Sequence, residues 1–386
     1  MDNIVKSVLY LPVLSATKFP VGLQSHMEDL IRTIEDKSTE VCRIAICGKG
    51  GYGKTTLAKA IYHQIHDTFT EKSYIEDIGE DSEIRGDLRL QKQLLSKLLK
   101  SEVEIESVEM GRTTIWERLS GKRALIVLDD VPQFDASLLW GSHYWQGGTV
   151  MIITTRDQSL AWINQVDSVF RINLMNPNES LELLSWHAFR EAKPKEEYRD
   201  LAKAIVNRCG GLPLALEVIG SYLYESTTEE WNRVLFRLEN IPLHETPQKF
   251  KISFDGLCNQ MEKDLFLDVC SSFVGKGRAY VTKILNGNGI DADSGIKVLL
   301  ERSLLKVNKN NKLEMHPLLR QMGRQIIRQI SRNQPENNSQ LWFDSDAKYI
   351  RSEHTVRTFF IYHFESSFAS GCFLKCKYLF FLALFV

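Results

Sequence analysis

Residues 41–55 read VCRIAICGKGGYGKT, and this stretch decides the fold. Its first seven residues form a short, mostly apolar run, which predicts a strand buried on both faces of a parallel sheet. The eight residues after it match the phosphate-loop pattern G-x-x-x-x-G-K-[ST]. Leu57, Ile61 and Ile65 follow at four-residue spacing, which indicates one apolar face of a helix. A strand, a loop and a helix therefore follow one another as an α/β P-loop unit requires.

The glycines of this loop suit a phosphate site. A residue without Cβ lets backbone N–H groups turn inward around phosphate oxygens, and the N-terminus of the next helix adds partial positive charge. We expect the loop to bind ATP or ADP, with the Lys54 ammonium on the β- and γ-phosphates and the Thr55 hydroxyl on Mg²⁺. The predicted phosphate-binding residues are Gly48, Gly50, Gly51, Gly53, Lys54 and Thr55.

Two later apolar runs, residues 124–128 and 149–153, also end in polar residues. Asp129 and Asp130 follow the first run, and Arg156 follows the second after two threonines. In an open α/β sheet, ligands bind beyond the carboxyl ends of the strands. These polar residues are therefore expected to converge with the phosphate loop on one crevice.

The three charged residues at these strand ends have predicted roles in handling ATP. Asp129 is expected to support Mg²⁺ through water, Asp130 to orient an attacking water, and Arg156 to sense the γ-phosphate. A solvated turn before Pro132 is the alternative for the two aspartates. For Arg156 the alternative is a surface ion pair with Asp157.

The later segments predict two smaller domains. Apolar residues between 201 and 223 lie at helical spacings around a break at Gly210, which indicates a small helical domain. Residues 303–307 and 312–315 predict a hairpin around residues 308–311, as in a winged helix. The predicted fold is an α/β P-loop NTPase domain, with a parallel sheet flanked by helices, followed by a helical domain and a winged-helix domain.

These motifs together resemble the NB-ARC module of plant nucleotide-binding leucine-rich-repeat immune receptors, which are relatives of the animal apoptosome ATPase. Several motifs in one order are more specific than any single one. The resemblance runs from about residue 21 to about residue 343, and it rests on residues 48–56, 128–131, 154–157, 211–215 and 315–316.

Other stretches resemble the subclass of these receptors that carries a TIR domain, namely residues 74–76, 266–270 and 318–324. Pro132 departs from that subclass, which usually has aspartate at this position. We expect this chain to lack the TIR domain and most of the leucine-rich repeats. Residues 379–384 fit the opening of one repeat, and a chance leucine- and phenylalanine-rich tail is the alternative.

The resemblance implies further nucleotide contacts. It implies that Val21 and Pro213 lie at the adenine, that Thr56 belongs to the phosphate loop, and that His316 reaches the β-phosphate of ADP. An ordinary helix start is an equal alternative for Pro213, and a capping or surface role is the alternative for His316. Pro317 replaces the aspartate of the family pattern Met-His-Asp, which predicts a less tightly held ADP state.

The resemblance also gives the expected domain boundaries. These are an N-terminal linker at 1–20, a P-loop domain at 21–170, a helical domain at 171–242, a winged-helix domain at 243–333, and a linker with a possible repeat start at 334–386.

Composition excludes several classes of partner. Lys plus Arg number 48 against 49 Asp plus Glu, so no overall field attracts nucleic acid or acidic lipid, and we expect no nucleic acid partner. The seven cysteines include no C-x-x-C pair, which favours a reducing cytosol over a disulfide framework or a zinc site. Residues 378–386 are apolar but too short to span a bilayer as a helix, so no stable membrane insertion is expected. The expected compartment is the cytoplasm, with the nucleus as the alternative.

The resulting hypothesis is an ADP/ATP-dependent switch in plant innate immune signalling. ADP would hold the off-state, ATP the on-state, and slow hydrolysis would reset the protein, which makes it at most a slow ATPase. Its expected partners besides the nucleotide are further copies of itself or full-length immune receptors. A truncated nucleotide-binding adaptor or decoy is one alternative. A P-loop phosphotransferase is another, although that class needs a second substrate pocket and a lid.

Overall fold

The computed structural model describes residues 17–76, 78–99, 101–131, 147–157, 159, 166–243, 245–287 and 289–333, with the backbone alone for 79–87 and 331–333. The chain divides into two compact units, Met1–Leu243 and His244–Val386. Pro132 and the repeat-like residues 379–384 lie outside the described residues. Among the described helices, none is long and apolar enough to cross a membrane.

The first unit contains a five-stranded sheet. Its strands are β1 (Cys42–Cys47), β2 (Glu71–Ile75), β3 (Ala124–Val131), β4 (Val150–Thr155) and β5 (Ser168–Arg171). Their order across the sheet is β2-β3-β4-β1-β5, and all neighbouring strands are parallel. Cys47 pairs with Thr155, and Ile75 pairs with Leu128, so the carboxyl ends of β1 to β4 lie along one edge.

Helices cover both faces of this sheet. They are α1 (Gln24–Asp36), α2 (Lys54–Ile65), α3 (Ile78–Leu99) and α4 (Val108–Leu119). Alternate strand residues go to opposite faces: Val127 and Ile152 pack with Leu57 of α2, whereas Ile126 and Ile153 belong to the core with α3 and α4. Burial on both faces explains why these strands are near-continuous apolar runs.

Four helices follow the sheet in the first unit, namely α5 (Pro177–Phe189), α6 (Arg199–Cys209), α7 (Pro213–Tyr222) and α8 (Thr228–Glu239). Asn176 and Glu179 form a capping box at the start of α5. Helix α6 ends at Gly210, whose φ of 66° is left-handed and therefore suits glycine. Trp231 is fully buried and stacks on Phe189 with ring centroids 5.3 Å apart.

The second unit is helical with a small hairpin. Its helices are α9 (Thr246–Asp255), α10 (Gln260–Asp268), α11 (Arg278–Gly287), α12 (Ala292–Glu301) and α13 (Pro317–Asn333), with a π-helical turn at Val269–Phe273 after α10. Strands β6 (Lys306–Val307) and β7 (Leu313–Glu314) form the predicted antiparallel hairpin. Phe250, Phe266 and Ile296 are fully buried in this unit.

Candidate nucleotide-binding site

The phosphate loop leaves β1 at Gly48 and enters α2 at Lys54. Gly51 and Gly53 have φ of 81° and 94°, a left-handed backbone that glycine adopts without strain. The Gly48 N–H donates to the Thr155 carbonyl of β4 at 3.2 Å, and a Cβ at Gly48 would approach Ile172 Cγ2 to 2.6 Å. The loop therefore passes so close to Ile172 that a residue with a side chain at position 48 would force one of the two to move.

Lys54 places a cation inside this loop. Its side chain is 6% exposed, and Nζ donates to the Lys49 carbonyl at 3.0 Å. Burial lowers the pKa of Lys54 to about 8, although Asp130 acts in the opposite direction. A phosphate group beside this ammonium would stabilise its charged form, which burial alone disfavours.

Asp129 lies beside Thr55 in the buried part of the site. Its Oδ1 accepts hydrogen bonds from Thr55 Oγ1 at 2.9 Å and from Thr154 Oγ1 at 2.6 Å. Its Oδ2 is buried and has no hydrogen-bond partner. Burial raises the pKa of Asp129, while the hydrogen bonds from Thr154 and Thr55 act against that rise.

The unsatisfied Oδ2 of Asp129 fits a magnesium site. Mg²⁺ prefers oxygen ligands and keeps several waters, and a metal-bound water would satisfy this oxygen. No group of three or more His, Cys, Asp or Glu side chains in the described part of the chain could hold a metal by itself. The ion would therefore take most of its ligands from the nucleotide phosphates and water, with Thr55 and Asp129 as the protein's share.

Asp130 and Arg156 form a bidentate ion pair. Arg156 Nε donates to Asp130 Oδ1 at 3.0 Å, and Nη2 donates to Oδ2 at 2.8 Å. Strand β3 runs on to Val131 instead of ending before Asp129, and its register shifts between Leu128 and Val131. Within this irregularity Asp130 has a left-handed φ of 53°. The partner that the structure gives Arg156 is thus Asp130, which the sequence analysis did not anticipate.

A cleft opens beside the phosphate loop, with an empty volume of about 640 Å³. Four residues predicted to contact the nucleotide line it: Val21, Gly53, Thr56 and Pro213. Its other walls include Tyr52, His26, Ile172, Met175, Glu179 and His187. Part of this volume is open solvent, so the cleft is accessible from outside the protein.

Backbone contacts hold the Pro213 side of the cleft against the loop. Gly211 has a φ of 71°, and its Cβ position would lie 2.5 Å from the Met175 carbonyl, so only glycine fits this approach. Pro213 is the first residue of α7, and the next N–H, of Leu214, donates to the Gly51 carbonyl at 3.4 Å. Pro213 thus starts a helix and lines the cleft at the same time, so its two predicted roles are compatible.

His316 belongs to the second unit and caps helix α13. Its Nδ1 accepts a hydrogen bond from the Leu318 N–H at 3.1 Å, and α13 begins at Pro317. With Nδ1 as an acceptor, a neutral ring carries its proton on Nε2. The predicted contact between His316 and the β-phosphate remains a prediction.

One residue of this network has no role in the sequence analysis. Thr154 bonds to both aspartates, because its hydroxyl also accepts the Asp130 N–H at 2.8 Å. A threonine at a strand end carries no signal of such a contact in sequence alone. The structure therefore brings Lys54, Thr55, Asp129, Asp130 and Arg156 together, with Thr154 among them.

Comparison with known proteins identifies both parts of the chain. The family model of the NB-ARC domain matches residues 23–193, and that of the Roq1-like disease resistance protein winged-helix domain matches residues 259–331. The disease resistance protein RUN1 of Vitis rotundifolia is 38% identical over 330 residues, which cover 84% of this chain and 25% of the relative. The TMV resistance protein N of Nicotiana glutinosa is 33% identical over 344 residues, which cover 87% of this chain and 30% of the relative.

The chain thus spans between a quarter and a third of the length of these relatives. A solved STAND protein with a tetratricopeptide repeat sensor, from Pyrococcus horikoshii, shares the fold with a TM-score of 0.52 at 19% identity, over 79% of this chain and 42% of that one. These relatives are of the TIR type, the subclass that residues 74–76, 266–270 and 318–324 resemble. The chain belongs to the NB-ARC family of plant disease resistance proteins and carries the NB-ARC and winged-helix domains of that family.

Proposed function

We propose that this chain is an ADP/ATP-binding switch of plant immune signalling, with an ADP-bound off-state and an ATP-bound on-state that slow hydrolysis resets. The observation that carries the proposal is the ion pair between Arg156 and Asp130 beside the phosphate loop. It gives the site one cation whose partner can be exchanged. Such an exchange would let the protein distinguish ATP from ADP.

The exchange follows from charge. ADP has no γ-phosphate, so with ADP bound Arg156 would keep the pairing with Asp130 that the structure shows, in which Nη2 lies 2.8 Å from Oδ2. The γ-phosphate of ATP carries more charge than a carboxylate and competes for the guanidinium, which binds phosphate bidentately as well as it binds carboxylate. Once Arg156 moves, the Asp130 carboxylate is free to accept a proton from water. Slow hydrolysis is then the step that returns Arg156 to Asp130.

The remaining residues bind and orient the nucleotide. Lys54 and the N–H groups of the loop hold the phosphates, while Thr55 and Asp129 hold Mg²⁺, Asp129 through a bound water. Mg²⁺, when bound, neutralises phosphate charge. The proposed nucleotide-binding residues are Val21, Gly48, Gly50, Gly51, Gly53, Lys54, Thr55, Thr56, Arg156, Pro213 and His316. The domain boundaries at residues 20, 170, 242 and 333 are likewise proposals.

Isothermal titration with ADP and ATP tests the exchange. Arg156→Gln should weaken ATP binding by about tenfold, the equivalent of one charge-assisted contact of roughly 1.4 kcal/mol, and should leave ADP binding close to that of the parent. Asp130→Asn should strengthen ATP binding relative to ADP binding, because the carboxylate that competes with the γ-phosphate for Arg156 is gone. Both variants should hydrolyse ATP more slowly than the parent.

Arg118→Gln is the matched control, since Arg118 pairs with Glu71 at the other end of the sheet. It should bind both nucleotides as the parent does. Equal effects of Arg156→Gln and Asp130→Asn on ADP and ATP would contradict the exchange, and an absence of nucleotide binding by the parent would contradict the function as a whole.

Assembly is the second part of the proposal, with further copies of the chain or full-length immune receptors as partners. Light scattering on the purified protein should show a larger mass with ATP than with ADP. One unchanged mass with either nucleotide would favour a nucleotide-binding adaptor instead. We place this function in the cytoplasm, with the nucleus as the alternative, because a sequence whose cysteines form no C-x-x-C pair favours a reducing compartment.

A further inference from the structure

Thr154 lies at the centre of the acidic end of the sheet. It is the fifth residue of β4, is completely buried, and pairs in register with Ile46 of β1. The neighbouring strand on the other side, β3, brings Asp129 and Asp130 to it. The threonine hydroxyl is therefore enclosed by the two residues that the proposed function assigns to metal and water.

The hydroxyl makes two hydrogen bonds of opposite sense. It donates to Asp129 Oδ1 at 2.6 Å and accepts from the Asp130 N–H at 2.8 Å. A hydroxyl has one donor and two acceptor sites, so a single group can serve both partners. Serine could do the same, whereas valine has nearly the same shape and neither function.

The first bond selects one oxygen of Asp129. Thr55 and Thr154 both donate to Oδ1, which leaves Oδ2 as the buried oxygen without a partner. A carboxylate fixed at one oxygen by two donors cannot rotate without losing both bonds. The other oxygen is thereby kept in one orientation, in which it could accept a hydrogen bond from a metal-bound water.

The second hydrogen bond, from the Asp130 N–H, holds Asp130 in an uncommon backbone conformation. A non-glycine residue at the φ of 53° found at Asp130 is strained by about 1 kcal/mol or more, and surrounding contacts must compensate. Those contacts are the Thr154 hydroxyl on its N–H and Arg156 on its carboxylate. With this backbone the Asp130 carboxylate faces Arg156, while that of the preceding Asp129 faces Thr55.

We propose that Thr154 is a positioning residue that gives the two adjacent aspartates their separate tasks. Its hydroxyl turns the free oxygen of Asp129 toward the metal and keeps Asp130 on Arg156. This inference rests on the proposed function and adds to it a residue that touches neither nucleotide nor metal.

Thr155 provides a matched control on the same strand. It is 1% exposed, and its hydroxyl donates to the Val131 carbonyl at 2.9 Å, away from both aspartates. The same hydroxyl accepts the Asp157 N–H at 3.2 Å, so Thr155→Val removes a buried hydroxyl that, like that of Thr154, donates one hydrogen bond and accepts another. It does so without changing a contact of Asp129 or Asp130.

The experiment compares Thr154→Val, Thr154→Ser and Thr155→Val with the parent. Titration of ATP with and without Mg²⁺ should show that Thr154→Val loses most of the metal-dependent gain in affinity, about tenfold, but keeps metal-free ADP binding. Thr154→Ser should restore the gain, and Thr155→Val should behave as the parent. Thermal melts establish that each variant is folded before titration.

Amide hydrogen exchange in the nucleotide-free protein gives a second readout. The Asp130 N–H should exchange at least tenfold faster in Thr154→Val than in the parent, and at the parent's rate in Thr154→Ser and Thr155→Val. Unchanged exchange at Asp130, or an equal loss of the metal effect in Thr155→Val, would overturn the inference. If the parent binds no nucleotide, the proposed function falls, and the exchange rates still decide whether Thr154 holds Asp130.

Discussion

The buried ammonium of Lys54 destabilises the folded protein most when no phosphate is bound beside it. Its folded pKa of about 8 lies below the ordinary value of 10.5, because burial disfavours the ammonium. At pH 7 the ionised side chain therefore opposes folding, and this penalty disappears as the pH rises above the folded pKa. A bound phosphate reverses the balance, so the residue serves the ligand and not the core.

Replacing this cation should abolish nucleotide binding without unfolding the protein. Lys54→Ala is expected to show no heat of ADP binding and to melt at or above the temperature of the ligand-free parent, because the buried charge is gone. A ligand at a thousand times its dissociation constant stabilises a protein by about 4 kcal/mol, and the variant should lose that stabilisation. Titration calorimetry and thermal melts with ADP measure both effects.

Lys59→Ala is the control for this variant. Lys59 lies on the same helix but pairs with Glu76 at 3.1 Å, outside the phosphate loop. It should keep binding ADP. If Lys54→Ala bound ADP and gained the same thermal stability from ADP as the parent, Lys54 would not be part of a phosphate site.

The strands that carry the site were predictable because they are buried on both faces. Such strands are long apolar runs, and the glycine pattern after β1 has few alternatives. The register shift that turns Asp130 toward Arg156 was not predictable, since it depends on the packing of β3 against β4, which is 25 residues away in sequence at the Thr154–Asp129 contact. The π-helical turn at Val269–Phe273 was also missed, because its sequence, VCSSF, fits an α-helix as well as a π-helix.

The junction between α10 and that π-helical turn contains a titrating carboxyl. Burial raises the pKa of Asp268 to about 7, and the negative charge of Asp264, one turn earlier, adds to the rise. The folded pKa lies above the unfolded value of 3.8, so the folded state binds the extra proton. Stability from this group is complete below pH 4 and is lost as the pH rises through about 7.

Asp268→Asn should therefore stabilise the protein at high pH. The variant is expected to gain about 1–3 kcal/mol in free energy of unfolding at pH 8 and only about a quarter of that gain at pH 4.5. Urea unfolding at the two pH values measures the difference. Asp264→Asn should give a smaller gain with the same pH dependence, and a gain for Asp268→Asn that does not change with pH would contradict the assignment.

The whole chain has two compact units, and the proposed switch requires that the second responds to the nucleotide. His316 is the residue of the second unit with a predicted phosphate contact, and its ring also caps α13. These two tasks can be separated by chemistry. Aspartate accepts the N–H of a helix start as well as a histidine nitrogen does, but it cannot donate to a phosphate oxygen.

His316→Asp should release ADP faster than the parent while remaining folded. The loss of one charge-assisted contact predicts an acceleration of about tenfold. Stopped-flow measurements with a fluorescent ADP analogue give the rate, and His316→Ala, which loses the cap as well, should be at least as fast. A His316→Asp protein that releases ADP at the parent's rate would show that the ring is a helix cap only.

The hydrogen bond between the Leu214 N–H and the Gly51 carbonyl links the phosphate loop to the first turn of α7. A ligand that moves the loop would therefore also move the start of α7, and a displacement of α7 would move the loop. The contact joins backbone to backbone, so this coupling does not depend on a side chain. The Leu214 N–H is therefore a point at which a displacement of the phosphate loop would reach α7.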